Sequence, residues 1–381
     1  VARHPSLLTL TVSAGLFLGA TPAALAGGFG DTATLYEGTG PDSIVEITDV
    51  FGSPAEGGDS LLIGAHDQIG SDSSIVIDQW VPDVFLDSLG QVGQAPRVDM
   101  CAGTIGVAFA REVGAARTVH VSTMDDRDLL DLDDNGDAFS RPDIACSHPG
   151  RQAISFLRRG DNGLRVWMFT FDATWTDDDL HYALDLGAAS KGSTPAIAAT
   201  PSAIHVAWKN GTKLRYKRFT VGAGPDFAIT PLPTKTLDTS SSLDELRLAA
   251  EGNRVVLAWE RGSNVVARVS TDQGSTWKPR ATLFRGGGPA NADAAVTNAD
   301  VLGKTIIVSA TVWTCFEGCG GTGSIKRSTT NGGSWATVKG STKRGGYVFG
   351  ALVGDRSAPS MFMAWDQRFN LVPVIKARYA P

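Results

Sequence analysis

Long apolar stretches are scarce in this sequence. After residue 26 none is long enough to cross a bilayer, so no stable membrane insertion is expected. Basic tracts are missing, and the formal net charge of −6 argues against nucleic acid as a partner. No long stretch repeats its apolar residues at helical spacing, which argues against a helical bundle or a helix-covered sheet. Cysteine is sparse, at 4 residues, and charged residues make up only 19% of the chain. There is no Ser/His/Asp arrangement, P-loop or dinucleotide fingerprint, so the nucleophilic-triad and nucleotide readings have no foothold.

Short β-branched runs separated by turn residues are abundant instead, and 44 glycines mark many of the turns. With 42% hydrophobic residues there is ample material for a core, and the pattern is all-β. One tryptophan recurs at the end of a similar strand. Trp208, Trp259, Trp313 and Trp365 are spaced by 51, 54 and 52 residues. Phe156, Phe109 and His66 continue the series backwards at 52, 47 and 43. Each copy follows a shorter strand of small and apolar residues, such as Ala196-Ile197-Ala198-Ala199. Each is followed by a hairpin signal such as Lys209-Asn210-Gly211. The period predicts a single propeller of seven four-stranded blades, with six as the alternative if 42–94 is an appendage. The last copy has three strands, and Thr32 to Tyr36 at the other end is expected to supply the fourth and close the ring.

Ser270-Thr271-Asp272-Gln273-Gly274-Ser275-Thr276-Trp277 is the most specific stretch. A hydroxyl and a carboxylate can cap backbone N–H groups in a tight turn, glycine permits the backbone conformation, and tryptophan covers it. A second copy starts at Ser328, 58 residues on, with Thr330 in place of the carboxylate and Trp335 closing it. On these residues the chain resembles the Asp-box (BNR-repeat) propellers, whose best-known members are sialidases. The resemblance implies Asp-box turns on the face away from the functional site. Sialidases add three arginines, a tyrosine nucleophile with a glutamate partner, and an aspartate acid. Candidates here are Arg97, Arg141, Arg247, Tyr347, Glu260 and Glu245, although neither Arg97-Val98-Asp99 nor Arg141-Pro142-Asp143 reproduces the family's Arg-Ile-Pro motif.

Charges at the entrances of apolar inner strands need solvent, a partner or a ligand. Arg97, Asp99, Arg141, Asp143, Arg247 and Asp366 are therefore the expected ligand-binding set at one charged mouth, with Glu245, Glu260 and Tyr347 beside them. A binding propeller for a glycan or extracellular protein is the preferred reading; a sialidase-like glycoside hydrolase or a polysaccharide lyase is the alternative. Asp131, Asp133, Asn135 and Asp137 space oxygen atoms as calcium loops do, but Pro142 stands where such loops place a glutamate. Ca2+ is the one cofactor the sequence suggests. Arg3 and His4, the apolar run from Leu7 to Ala20 and the small residues Ala24-Leu25-Ala26 predict a signal peptide over 1–26, leaving a propeller over 27–381. The protein is then expected to be secreted or periplasmic, and a monomer. In that setting Cys315 is expected to pair with Cys319, while Cys101 and Cys146 either pair or stay as small buried residues. Arg159-Gly160-Asp161 reads as a hairpin tip rather than an adhesion tripeptide.

Overall fold

The computed structural model describes residue 29 and residues 32–380 except 38–42, 56–57, 70–71, 82–83, 87–90, 93, 102–103, 114–115, 124–129, 134–139, 141, 149–150, 161–162, 173–179, 191–193, 223–227, 287–292, 314–320 and 368–373. The expected signal peptide, Arg141, Asn135, Asp137, Cys315 and Cys319 lie outside the described residues.

The described strands form seven antiparallel sheets and no helix. Each sheet is a meander read outward from an inner strand. The seven inner strands are Ser43–Ala55, Gln94–Cys101, Asp143–His148, Ala196–Thr200, Leu243–Glu251, Asp293–Leu302 and Val348–Asp355. Each packs beside the next in chain order, and the last packs against the first, so the sheets form one ring, an all-β propeller. Residues 43–92 make a sheet within that ring, between the last and the second. Closure is by an N-terminal strand. Ala33–Glu37 pairs with Val374–Ala380, with Ala33 opposite Ala377 and Glu37 opposite Val374, so the outer edge of the final sheet is completed by the other end of the chain.

The recurrent aromatic strand is the second of each sheet. Both of its faces are covered by neighbouring sheets, so Phe109, Phe156, Trp208, Trp259 and Trp365 are buried. The core is accordingly a set of inter-sheet layers. In one of them Ala196, Leu214 and Tyr216 of the fourth sheet meet Leu246, Leu257 and Trp259 of the fifth.

The two box-like turns have one geometry. Ser270 Oγ accepts the Gly274 N–H (2.8 Å), Asp272 Oδ1 accepts the Thr276 N–H (2.7 Å), and Trp277 Nε1 donates to the Gly274 carbonyl (3.1 Å). In the second turn Ser328 Oγ accepts from Gly332, Thr330 Oγ1 accepts from Ser334 (2.8 Å), and Trp335 Nε1 donates to Gly332. Thr330 thus fills the place of the carboxylate with one oxygen instead of two. Both turns dock on the preceding sheet: Arg218 Nη1 donates to the Gln273 carbonyl (2.8 Å), and Arg254 Nε to Asn331 Oδ1 (2.7 Å). Trp277 packs in the layer between the fourth and fifth sheets, and Trp335 in the next.

Candidate functional site: the two chambers of the central channel

The inner strands are less apolar than their sequences suggest. Along the channel, among the described residues, a belt of polar side chains ties five neighbouring pairs of sheets together. Asp49 Oδ2 accepts the Val98 N–H (3.0 Å), Asp99 Oδ2 accepts from Cys146 (2.7 Å), and Asp143 Oδ2 accepts from Ile197 (2.9 Å). Across the ring, Asp300 Oδ2 accepts from Leu352 (2.7 Å) and Glu260 Oε1 from Val296 (3.1 Å). Inner strands of neighbouring sheets converge without sharing a ladder, so their facing N–H groups need an acceptor. These carboxylates supply it. Asp99 and Asp143, expected as ligand contacts, therefore hold neighbouring sheets together. Asp49, Asp300 and Asn298, which donates to the Gly350 carbonyl (2.9 Å), belong to the same belt and were not picked out by sequence.

Two cavities lie end to end along this belt, and Arg97 and Arg247 line both. These arginines come from the second and fifth sheets and form the partition between the cavities. The smaller cavity, of about 130 Å³, brings together Glu46, Thr48, Arg97, Glu245, Arg247, Glu260 and Tyr347. Five residues of the expected mouth therefore share one space. The larger cavity, of about 470 Å³, has walls of Val50, Ile144, Ile197, Ala198, Leu248, Ala299 and Leu352, with Asp49, Asp143 and Asp300 at intervals. Its rim includes Pro201, Gly252 and Arg356, residues of hairpins that lead from inner to second strands. Gln273 of the box turn touches two of these hairpins, through Asn253 and Ser202, so the larger chamber opens on the box side and the smaller one opposite.

Asp366 lines neither cavity. It is 1% exposed, and its Oδ1 accepts the Tyr347 N–H (2.7 Å), so it positions the tyrosine backbone. A Cβ at Gly346 would overlap the Asp366 carbonyl, so this close approach requires glycine. Tyr347 itself packs edge-on against Trp313 at 5.3 Å.

Both arginines are engaged by their own chain. Arg97, 4% exposed, donates from Nη1 to the Thr48 carbonyl (2.7 Å) and lies 3.5 Å from Asp49 and 4.0 Å from Asp143. Burial opposes its charge, but Asp49, Asp143 and Glu245 outweigh that and raise its pKa. Arg247 donates from Nε to the Thr297 carbonyl (2.7 Å) and lies 3.5 Å from Glu245; burial and then repulsion from Arg97 lower its pKa. Burial pushes Asp143 and Asp300 to about 6. Burial, then Glu245 and Asp244, push Glu260 to about 8.

Glu260 gives the fold a pH signature. Its folded pKa lies above the ordinary 4.5, so between these values the folded state holds more protons than the unfolded one. Stability then falls as pH rises toward 8. His205, buried and lowered to about 3, works the other way, but only below its ordinary 6.5. From pH 6.5 to 8 the wild type should therefore lose on the order of 1 kcal/mol. Glu260→Gln, which keeps the acceptor for Val296, should flatten this slope in chemical denaturation. Equal slopes would remove Glu260 as the cause.

Comparison with solved structures places the chain among β-propellers. The β-propeller domain of the Trilobed protease from Pyrococcus furiosus, reported with an open velcro topology, matches with a TM-score of 0.50 at 10% identity, covering 87% of this chain and 93% of that one. The NanB sialidase from Streptococcus pneumoniae matches at TM-score 0.43 and 7% identity, over 91% of this chain and 70% of that one. Trypanosoma rangeli sialidase in complex with sialic acid gives 0.44 and 12%, over 86% and 59%. Of these three the propeller domain alone reaches a TM-score of 0.50, and at 10% identity it speaks for the fold and not for an activity. No family model matches the chain, and no curated protein sequence does.

Proposed function

We propose that this is a secreted binding propeller that holds a glycan or an extracellular protein at its charged mouth. The observation that carries this reading is the meeting of Arg97, Arg247, Glu245, Glu260 and Tyr347 in one concave space. Hydrolysis of the sialidase type is disfavoured by the state of the arginines. Hydrogen bonds to the Thr48 and Thr297 carbonyls, with carboxylates close by, occupy part of each guanidinium. They leave the pair short of the convergent donors that would fix a substrate carboxylate for cleavage, though not of the charge that would retain a ligand. A glycan array with the mature chain and Arg247→Ala tests the reading. Retention of a ligand by the wild type and its loss in the variant support it; equal retention moves the site elsewhere.

Calcium and a disulfide belong to the same proposal for an extracellular protein. Asp131 and Asp133 lie in Leu130–Asp133, the outermost strand of the second sheet, from which the chain runs on to Asn135 and Asp137. A calcium ion held there would tie down the passage to the third sheet. Chelation should then lower the melting temperature of the wild type and leave Asp133→Ala unchanged. An unchanged wild-type melting curve would reduce the stretch to an acidic turn. For the disulfide, Cys101 and Cys146 stand on adjacent inner strands, with Asp99 already bonded to the Cys146 N–H, and pairing them would staple the second sheet to the third.

A further inference from the structure

Charge is segregated around the ring. Residues 27–190 carry 28 Asp and Glu against 9 Lys and Arg, whereas residues 191–381 carry 24 Lys and Arg against 12 Asp and Glu. Because the sheets follow one another in chain order, residues 191–381 form four consecutive sheets. To the last of these Ala33–Glu37 adds an outer strand with one carboxylate, Glu37, so the ring has a mainly acidic arc and a mainly basic arc.

Within the basic arc, cations crowd at the seam between the sixth and seventh sheets. Lys343, on the outer edge of the sixth sheet, puts Nζ 4.6 Å from the centre of the Trp365 ring in the seventh. Arg378 lies 5.9 Å from the same ring, and Lys376 is the strand partner of Trp365. Burial, then repulsion from Arg378 and Lys376, lowers the Lys343 pKa. Arg344, exposed, follows Lys343 in the chain. Among the described residues no carboxylate forms an ion pair with any of these four; Arg378 bonds the Thr32 hydroxyl (2.6 Å) instead. Elsewhere in the basic arc cations do find carboxylates, as Arg261 and Arg280 find Asp238. The seam is also continuous with the mouth, because Trp365 pairs with Val348, the residue after Tyr347.

We infer that this seam is an anion subsite for an acidic polysaccharide, a chain bearing carboxylate or sulfate groups, that extends outward from the mouth. The inference rests on the glycan-binding reading above and names the class of glycan. A cation held over a tryptophan face, with like charges beside it and no acid partner among the described residues, gains most from an incoming anion. The basic arc as a whole steers such a chain to this side of the ring. A neutral glycan would gain nothing from either feature.

The test uses the mature chain with labelled dextran sulfate, polygalacturonate, neutral dextran and duplex DNA as probes. The wild type should bind at least one of the two acidic polysaccharides, more weakly as salt rises, and neither neutral dextran nor DNA comparably. Lys343→Gln with Lys376→Gln should weaken that binding about tenfold while leaving the melting temperature unchanged. Wild-type affinity in the double variant would overturn the subsite, as would equal binding of dextran or of DNA. Loss in Arg247→Ala with no loss in the double variant would keep the mouth reading and remove this one. No loss in either would remove both.

Discussion

Replacing Arg97 with alanine should destabilise the propeller by about 3–5 kcal/mol, the range for removing one partner from a buried charge pair. The side chain is 4% exposed and lies between Asp49 and Asp143, each of which also receives a backbone N–H from the next sheet. Without the guanidinium these two buried carboxyls lose their compensating charge, and the Thr48 carbonyl loses its donor. Both groups would take up protons more readily, so the loss should be larger at pH 8 than at pH 5. Urea denaturation of Arg97→Ala at the two pH values checks this. A loss below about 1 kcal/mol at both would mean that the belt carries no such strain.

Gly274→Ala should cost at least about 3 kcal/mol, from two sources that add. Gly274 has φ +77°, in the left-handed region that disfavours a side chain. The new Cβ would also overlap the Tyr216 hydroxyl, which belongs to the preceding sheet and is hydrogen-bonded to buried His205 Nδ1 at 2.7 Å. Tyr216 is 1% exposed and cannot swing into solvent, so the turn must lift off its neighbour and strip Trp277 from its edge-on contact with Tyr216 at 5.0 Å. A melting temperature equal to that of the wild type would show that the box turn is not a joint between sheets.

Much of the fold is legible in the sequence because the second strand of a sheet lies between neighbouring sheets and carries a large apolar residue in its second half. That demand recurs in six of the seven sheets and leaves the series from Phe109 to Trp365. The closure is legible for a related reason, since three strands at the C-terminus leave an edge that Ala33–Glu37 covers. The belt is not legible. Asp49, Asp99, Asp143 and Asp300 stand 17, 10, 13 and 13 residues before the marker residues His66, Phe109, Phe156 and Trp313. Hairpins of unequal length blur any common period, and a lone aspartate in a strand reads as a mouth charge. Asp99 and Asp143 have that appearance in the sequence, and in the structure they bind their neighbours' backbone. Arg97, Arg247, Glu245, Glu260 and Tyr347 line one cavity because all five sit near inner-strand entrances, where the sheets converge. The larger chamber left no signal, since its walls are ordinary small and aliphatic strand residues.

Binding without turnover is tested most directly on one ligand. A sialoside or acidic oligosaccharide retained by the wild-type chain should be followed for both retention and bond cleavage over the same interval. Saturable retention that falls in Arg247→Ala, with the ligand recovered intact, is the predicted result. Saturable cleavage by the wild type that Tyr347→Phe abolishes would contradict it and make the mouth an active site.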